Sequence, residues 1–208
     1  MPEITTLFWD VGGVLLSNGW DETARTEAVR KFDLDGADFE ARHDLTNAAW
    51  ECGRVNLQTY LERTVFYRPR AFTADVFSEF MFAQSRDFPE GHRIADEVAR
   101  SGRYVMATLN NEAAELNLYR IRKFGLRRSF SAFFSSCFLG VRKPDREIFR
   151  MALDVTQREP AECLFIDDRA LNAESARQVG MQTIQFRDAA QVRRELGELG
   201  IVWQQPSA

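Results

Sequence analysis

The chain has 208 residues, 45% of them hydrophobic, and a formal net charge of −4. That is enough apolar material for a substantial core and argues against disorder, while the interspersed charges leave no extended basic surface for nucleic acid. No basic-then-apolar leader opens the chain and no apolar run is long enough to cross a bilayer, so the expectation is a soluble, cytoplasmic protein without a membrane partner. The cysteines, Cys52, Cys137 and Cys163, are odd in number and lack metal-ligand spacing, which reads as free thiols in a reducing compartment.

In chain order, the first strong signal is the apolar run from Leu7 to Leu16, broken by Asp10 and by Gly12-Gly13. A carboxylate at the end of a buried strand is costly unless a cation or a reaction uses it, and the glycines allow a sharp turn and close approach of a ligand. Residues 17 to about 88 read as helices. Asp21 caps one running to about Phe32, Gly36 to Trp50 continues the pattern, Asn56 caps Leu57 to Tyr67, and Thr73 opens another. From Pro89 the texture changes. Glu90 to Arg100 reads as a helix, Tyr104 to Ala107 as a strand ending at Thr108, and Glu112 to Lys123 as a helix capped by Asn111. A short strand lies within Phe130 to Phe138, Pro144-Asp145 begins a helix, and Cys163 to Ile166 is a buried strand ending in Asp167-Asp168. A helix to Val179, a strand at Thr183 to Phe186 and a polar helix close the chain.

This alternation predicts an α/β fold: a doubly wound, mostly parallel sheet formed by residues 1–16 and 89–208, with residues 17–88 inserted as a small helical cap. Ligands of such sheets bind beyond the carboxyl ends of the strands, and Asp10, Thr108 and Asp167-Asp168 all fall there.

Asp10, Thr108, Lys143 before Pro144, and Asp167-Asp168, in that order, resemble the four motifs of the haloacid dehalogenase superfamily over nearly the whole chain. The segments at 108–112 and 51–55 resemble the small-cap branch that includes α-glucose-1-phosphate phosphatases. The resemblance implies a Rossmannoid core and a magnesium-dependent phosphatase in which Asp10 attacks phosphorus and becomes an aspartyl-phosphate. Thr108, Lys143 and Asp10 would be catalytic. Thr108, Leu109, Asn110, Lys143 and Gly12 would contact substrate, with the Thr108 hydroxyl and the neighbouring backbone N–H groups donating to the phosphoryl oxygens. Asp10, the Gly12 carbonyl and Asp167 would hold Mg2+, with Asp168 either reaching it through water or capping the following helix.

One departure stands out. Such phosphatases usually carry a second aspartate two residues after the nucleophile, to protonate the leaving oxygen and activate water, and that position here is Gly12. General acid–base help is worth roughly 10²–10⁴-fold, so turnover is expected to be weakened and leaving groups that depart readily as anions, such as an anomeric sugar oxygen, to be favoured. Gly12→Asp is expected to speed dephosphorylation. His43 and His92 are the titratable candidates for the missing acid, although a packed or solvated role suits either; Asn110 and Asn111 can orient water or substrate, and Arg54 and Arg68 offer cations in the cap. The expected partner is a small phosphorylated metabolite, with a sugar phosphate favoured, and the expected oligomeric state is a monomer or weak dimer. Two alternatives stay open: a weakened protein that binds a phosphorylated ligand or a protein partner, and a dehalogenase, which needs no magnesium.

Overall fold

The computed structural model describes residues 3–203. Five parallel strands, β1 (Thr6–Trp9), β2 (Val105–Asn110), β3 (Ala132–Ser135), β4 (Cys163–Asp167) and β5 (Gln182–Gln185), lie in the order β3-β2-β1-β4-β5. Helices α5 (Pro89–Arg100), α6 (Ala114–Lys123) and α10 (Ala189–Glu198) send apolar side chains to one face of the sheet. The other face is covered by α8 (Arg146–Thr156) and α9 (Ala170–Gln178), the short α7 (Ser136–Leu139) following β3. Because both faces are covered, β1 and β4 are buried at every position, which is why they read as unbroken apolar runs.

The register positions the site. Trp9 lies opposite Thr108 on one side and Ile166 on the other, so Asp10 is the first residue beyond β1, held by its N–H donating to the Ile166 carbonyl at 2.8 Å.

Between β1 and α5 the chain forms α1 (Glu22–Phe32), α2 (Gly36–Glu51), α3 (Leu57–Thr64) and α4 (Ala74–Ala83), capped by Asp21, Asp35, Asn56 and Thr73. Their apolar faces meet around Trp20, Phe39, Trp50, Tyr60 and Phe77, a cluster that also takes Ala113 and Leu116 from the sheet side. The aromatic density of this segment is therefore packing. Where the chain leaves and re-enters the sheet layer, the two segments pair: Leu16 bridges Asp87, Ser17 N–H donates to the Arg86 carbonyl, and Arg86 N–H donates to Ser17 Oγ.

Three boundaries differ from expectation. The third helix stops at Thr64 rather than Tyr67, because Val65 turns into the aromatic cluster and its carbonyl accepts from Arg70 Nε instead of the next helical turn. Strand β2 runs two residues past Thr108 to Asn110, since β3 offers pairing partners as far as Ser135. Helix α6 begins at Ala114 without a side-chain cap, Asn111 being engaged elsewhere.

Candidate active site

Lys143 is the hinge of the site. Its ammonium lies 2.9 Å from Asp10 Oδ1 and 2.6 Å from Asp167 Oδ2, and all three side chains are buried. Breaking such a pair by removing one partner leaves an uncompensated buried charge, at about 3–5 kcal/mol. Asp10 Oδ1 also accepts from Val11 N–H at 2.7 Å, which leaves Oδ2 for other work. Asp167 is tied more fully: Arg169 N–H and Asn172 Nδ2 donate to its Oδ1, and Asn172 Nδ2 also reaches Oδ2. Asp167 is thus fixed by the segment that opens α9, and the capping role considered for Asp168 is not seen.

Asp10, Asp167 and Asp168 bring carboxylate oxygens within 4.8 Å of one another. One ammonium against three carboxylates leaves an excess of negative charge, and Asp168 Oδ1 is buried without a partner among the described residues. Hard oxygen donors, an unpartnered carboxylate oxygen and surplus negative charge fit a divalent cation such as Mg2+. Gly13 permits the approach: it sits at φ +75°, and a Cβ there would stand 2.2 Å from Asp168 Oδ2. Burial pushes the Asp10 carboxyl up to about 7, Lys143 pulling it down and Asp167 and Asp168 adding to the rise. Burial and Asp167 likewise raise Asp168.

Thr108 is not where the motif reading needs it. It alternates along β2 with Ala107 and Leu109, which pack into the α8–α9 core, so it faces the same side as Trp9; its hydroxyl is fully enclosed and has no hydrogen-bond partner among the described residues. Leu109, one place further, is likewise core, and the Asn110 side chain is held by Asn117 and Ser135. Asn111 is the residue that reaches the site. Its carboxamide clamps the backbone of Lys143 from both sides, accepting from the N–H and donating to the carbonyl at 2.8 Å each.

Above these groups opens a cavity of about 560 Å³ lined by Asp10, Gly12, Asn111, Lys143 and Asn172 from the sheet side. The helical layer adds Trp20, Arg25, His43, Asn47, Trp50 and Glu51, of which the last four lie on one face of α2. Beside Gly12 stands Asn18: a Cβ on Gly12 would meet its Oδ1 at 2.6 Å, so a carboxamide borders the place where the family's acid would begin. Sequence reasoning missed both Asn18 and Asn172; Asn18 carries no local signal, while Asn172 follows the Asp167-Asp168 pair at a spacing that lets it reach back to Asp167. His43 lines the cavity, but burial and then Arg25 lower it to about 4, so it is neutral at physiological pH. His92 is lowered by burial too, pairs with Asp87, and lies outside the cavity, as do the exposed Arg54 and Arg68. Burial pushes the Cys137 and Cys163 thiols up to about 12, and all three cysteines are free.

The family model of haloacid dehalogenase-like hydrolases matches residues 4–180. The chain belongs to that family. Among curated relatives of this haloacid dehalogenase-like hydrolase, a flavin mononucleotide hydrolase of Arabidopsis thaliana is 27% identical over 163 residues, which are 78% of this chain and 65% of that protein. The chain thus spans less than two thirds of that relative's length. A glyceraldehyde 3-phosphate phosphatase of Pyrococcus furiosus is 25% identical over 90% of this chain and 82% of its own. A haloacid dehalogenase family enzyme of Bacteroides thetaiotaomicron superposes with a TM-score of 0.77 at 20% identity, covering 89% of this chain and 95% of that one, and a further structure of it holds magnesium and inorganic phosphate.

Two expectations follow from this geometry. Thr108→Val removes an enclosed hydroxyl that no group satisfies, so urea unfolding should show a stability gain of about 1 kcal/mol, with phosphatase activity within about twofold of wild type; a large activity loss would restore the hydroxyl to the chemistry. The raised Asp10 value means that, between its unfolded value of 3.8 and about 7, the folded state binds a proton the unfolded state does not. In EDTA, wild-type stability relative to Asp10→Asn should therefore fall as pH rises through that interval. Scanning calorimetry at pH 5 and pH 8 reads the sign.

Proposed function

We propose that this hydrolase is a magnesium-dependent phosphatase of a small phosphorylated metabolite of the sugar-phosphate class, working through an aspartyl-phosphate on Asp10. The observation that carries this reading is the carboxylate triad around a buried lysine at the mouth of a polar cavity. Phosphatases among the relatives, and the magnesium and phosphate held by the Bacteroides enzyme, support it. The same reading makes residues 17–88 a cap that closes the cavity over the strand ends.

In this mechanism Asp10, Asp167, Asp168 and the Gly12 carbonyl would hold the cation, and Mg2+ bound there would offset the charge of the phosphoryl group. Asp10 Oδ2 attacks phosphorus and the bond from phosphorus to the leaving oxygen breaks. Lys143 holds Oδ1, orients the carboxylate and balances the arriving anion. Asn111 fixes the backbone of Lys143, and Asn172 fixes Asp167. In place of the Thr108 hydroxyl, the Asn111 N–H that follows β2 would donate to a phosphoryl oxygen, the Glu112 N–H being taken by Ser136 Oγ. Water then attacks the aspartyl-phosphate, Asp10 is released as a carboxylate, and the water proton passes to a phosphoryl oxygen. With neither a carboxylate at Gly12 nor a titrating histidine in the cavity, the leaving oxygen departs largely unprotonated, which favours a glycosyl oxygen over an alkoxide.

Saturating magnesium should elicit phosphate release from α-glucose 1-phosphate faster than from glucose 6-phosphate, and Asp10→Asn should abolish both. A preference for the 6-phosphate removes the leaving-group reading; tight phosphate-ester binding with no turnover in either protein would make this a binding module. Gly12→Asp should raise turnover of the 6-phosphate, and more so combined with Asn18→Ala, since the Asn18 carboxamide otherwise crowds the new side chain. Steady-state rates of the single and double variants decide it.

A further inference from the structure

Taking the phosphatase reading as its basis, we propose that the α2 wall of the cavity recognises a neutral, polyhydroxylated leaving group. His43 Nε2–H is its specificity-determining donor, and Tyr60 is the positioning residue that sets that donor.

The charges in the cavity point to a neutral ligand. Arg25 is paired with Glu40 and donates to the Trp20 carbonyl, Arg120 is paired with Glu112 and donates to the Ser17 carbonyl, and Arg142 is paired with Glu51 at 2.6 Å. Lys143 is engaged by Asp10 and Asp167. The remaining cavity cation among the described residues, Arg169, follows Asp168 on the sheet side. The helical wall is thus left without an uncommitted cation for a second phosphate or a carboxylate. What it offers instead is an imidazole, the Asn47 carboxamide, the indoles of Trp20 and Trp50, and the carboxylates of Asp21 and Glu22, which accept from hydroxyls and oppose a further anion. Such groups suit a ligand of hydroxyls and C–H faces.

Tyr60 organises that wall from behind. It is fully buried in the helical layer, stacked on Trp50 at 4.0 Å and 15°, with His43 edge-on at 90°. Its hydroxyl accepts from Trp20 Nε1 at 2.8 Å and lies 2.9 Å from His43 Nδ1. An enclosed hydroxyl that already accepts one bond satisfies its own hydrogen by donating it, and Nδ1 is the acceptor at hand. Nδ1 is then unprotonated, so the neutral ring carries its hydrogen on Nε2, which makes no hydrogen bond among the described residues. The low pKa of His43 agrees with a ring that stays neutral. His43 was a candidate for the missing acid; the geometry assigns it to binding, as a donor that keeps its proton.

The test uses α-glucose 1-phosphate and phenyl phosphate, which share the phosphate and differ in leaving-group hydroxyls. Titration calorimetry of the Asp10→Asn protein with magnesium should show His43→Ala weakening glucose 1-phosphate about tenfold, the equivalent of one lost hydrogen bond, with phenyl phosphate changed by less than about twofold. His43→Gln, which can still present an N–H, should recover most of the loss. Should His43→Ala not fold, Tyr60→Phe makes the same comparison. In the unsubstituted protein, ¹⁵N chemical shifts should report the Nε2–H tautomer of His43, and Tyr60→Phe should shift its tautomer balance. Equal losses for both probes, no loss for glucose 1-phosphate, or an Nδ1–H tautomer overturns the proposal. Absence of magnesium-dependent turnover in the wild type would instead strike the phosphatase reading, and the binding comparison would still decide this one.

Discussion

A lysine ammonium sealed between two carboxylates is the constraint on which the rest of this structure depends. Three charges taken out of water are expensive, and here they are tolerated because each is held by the fold: Asp10 by the end of β1, Asp167 by the end of β4 and Asn172, Lys143 by the Asn111 clamp. The parallel register brings the ends of β1 and β4 side by side, which is why residues 157 positions apart can share one ammonium. The arrangement still lacks positive charge, since Asp168 adds a third carboxylate with an unpartnered oxygen. The surplus negative charge is what a divalent ion would relieve.

The helical layer is joined to this centre by a second buried ion pair. Glu112 follows β2 and Arg120 lies on α6; they pair, and Arg120 also donates to the Ser17 carbonyl where the chain leaves the sheet layer. Ser17 is in turn bonded to Arg86 where it returns. Asn18 therefore starts from an anchored backbone position, and the carboxamide beside Gly12 is placed by the same contacts that join the two layers. Motion of the helices over the cavity would have to pivot about this pair of crossing segments.

The sequence carried the sheet and most helices because their signals are local. Caps at Asp21, Asn56 and Thr73 and buried runs at β1 and β4 need only neighbouring residues to be recognised. Asp10, Lys143 and Asp167-Asp168 were also readable, through their order and their places after apolar runs. Thr108 misled because strand ends depend on a neighbour: β3 extends β2 past it, and alternation then turns the hydroxyl away from the cavity. Asn111 looked like a helix cap, and its real partner lies 32 residues away. Asn18 and the Tyr60 hydroxyl act only across the assembled fold, whereas Asn172 lies five residues after Asp167 and its spacing was a local signal that went unread.

Under the proposed phosphatase reading, the absent aspartate and the wall of paired cations bear on the same choice of substrate. Without an acid at Gly12, the difference in barrier between good and poor leaving groups is no longer levelled by proton transfer, so chemistry alone selects leaving groups that carry negative charge well. A wall whose cations are already paired selects again, against leaving groups bearing a further anion. A glycosyl oxygen passes both filters: it is a better leaving group than an ordinary alcohol, and its ring is neutral and bears hydroxyls. A carboxylate restored at residue 12 would relax the first filter while leaving the second untouched. On that reading, breadth toward alkyl phosphates and tolerance of charged leaving groups would be separable properties, set by different residues on opposite walls of one cavity.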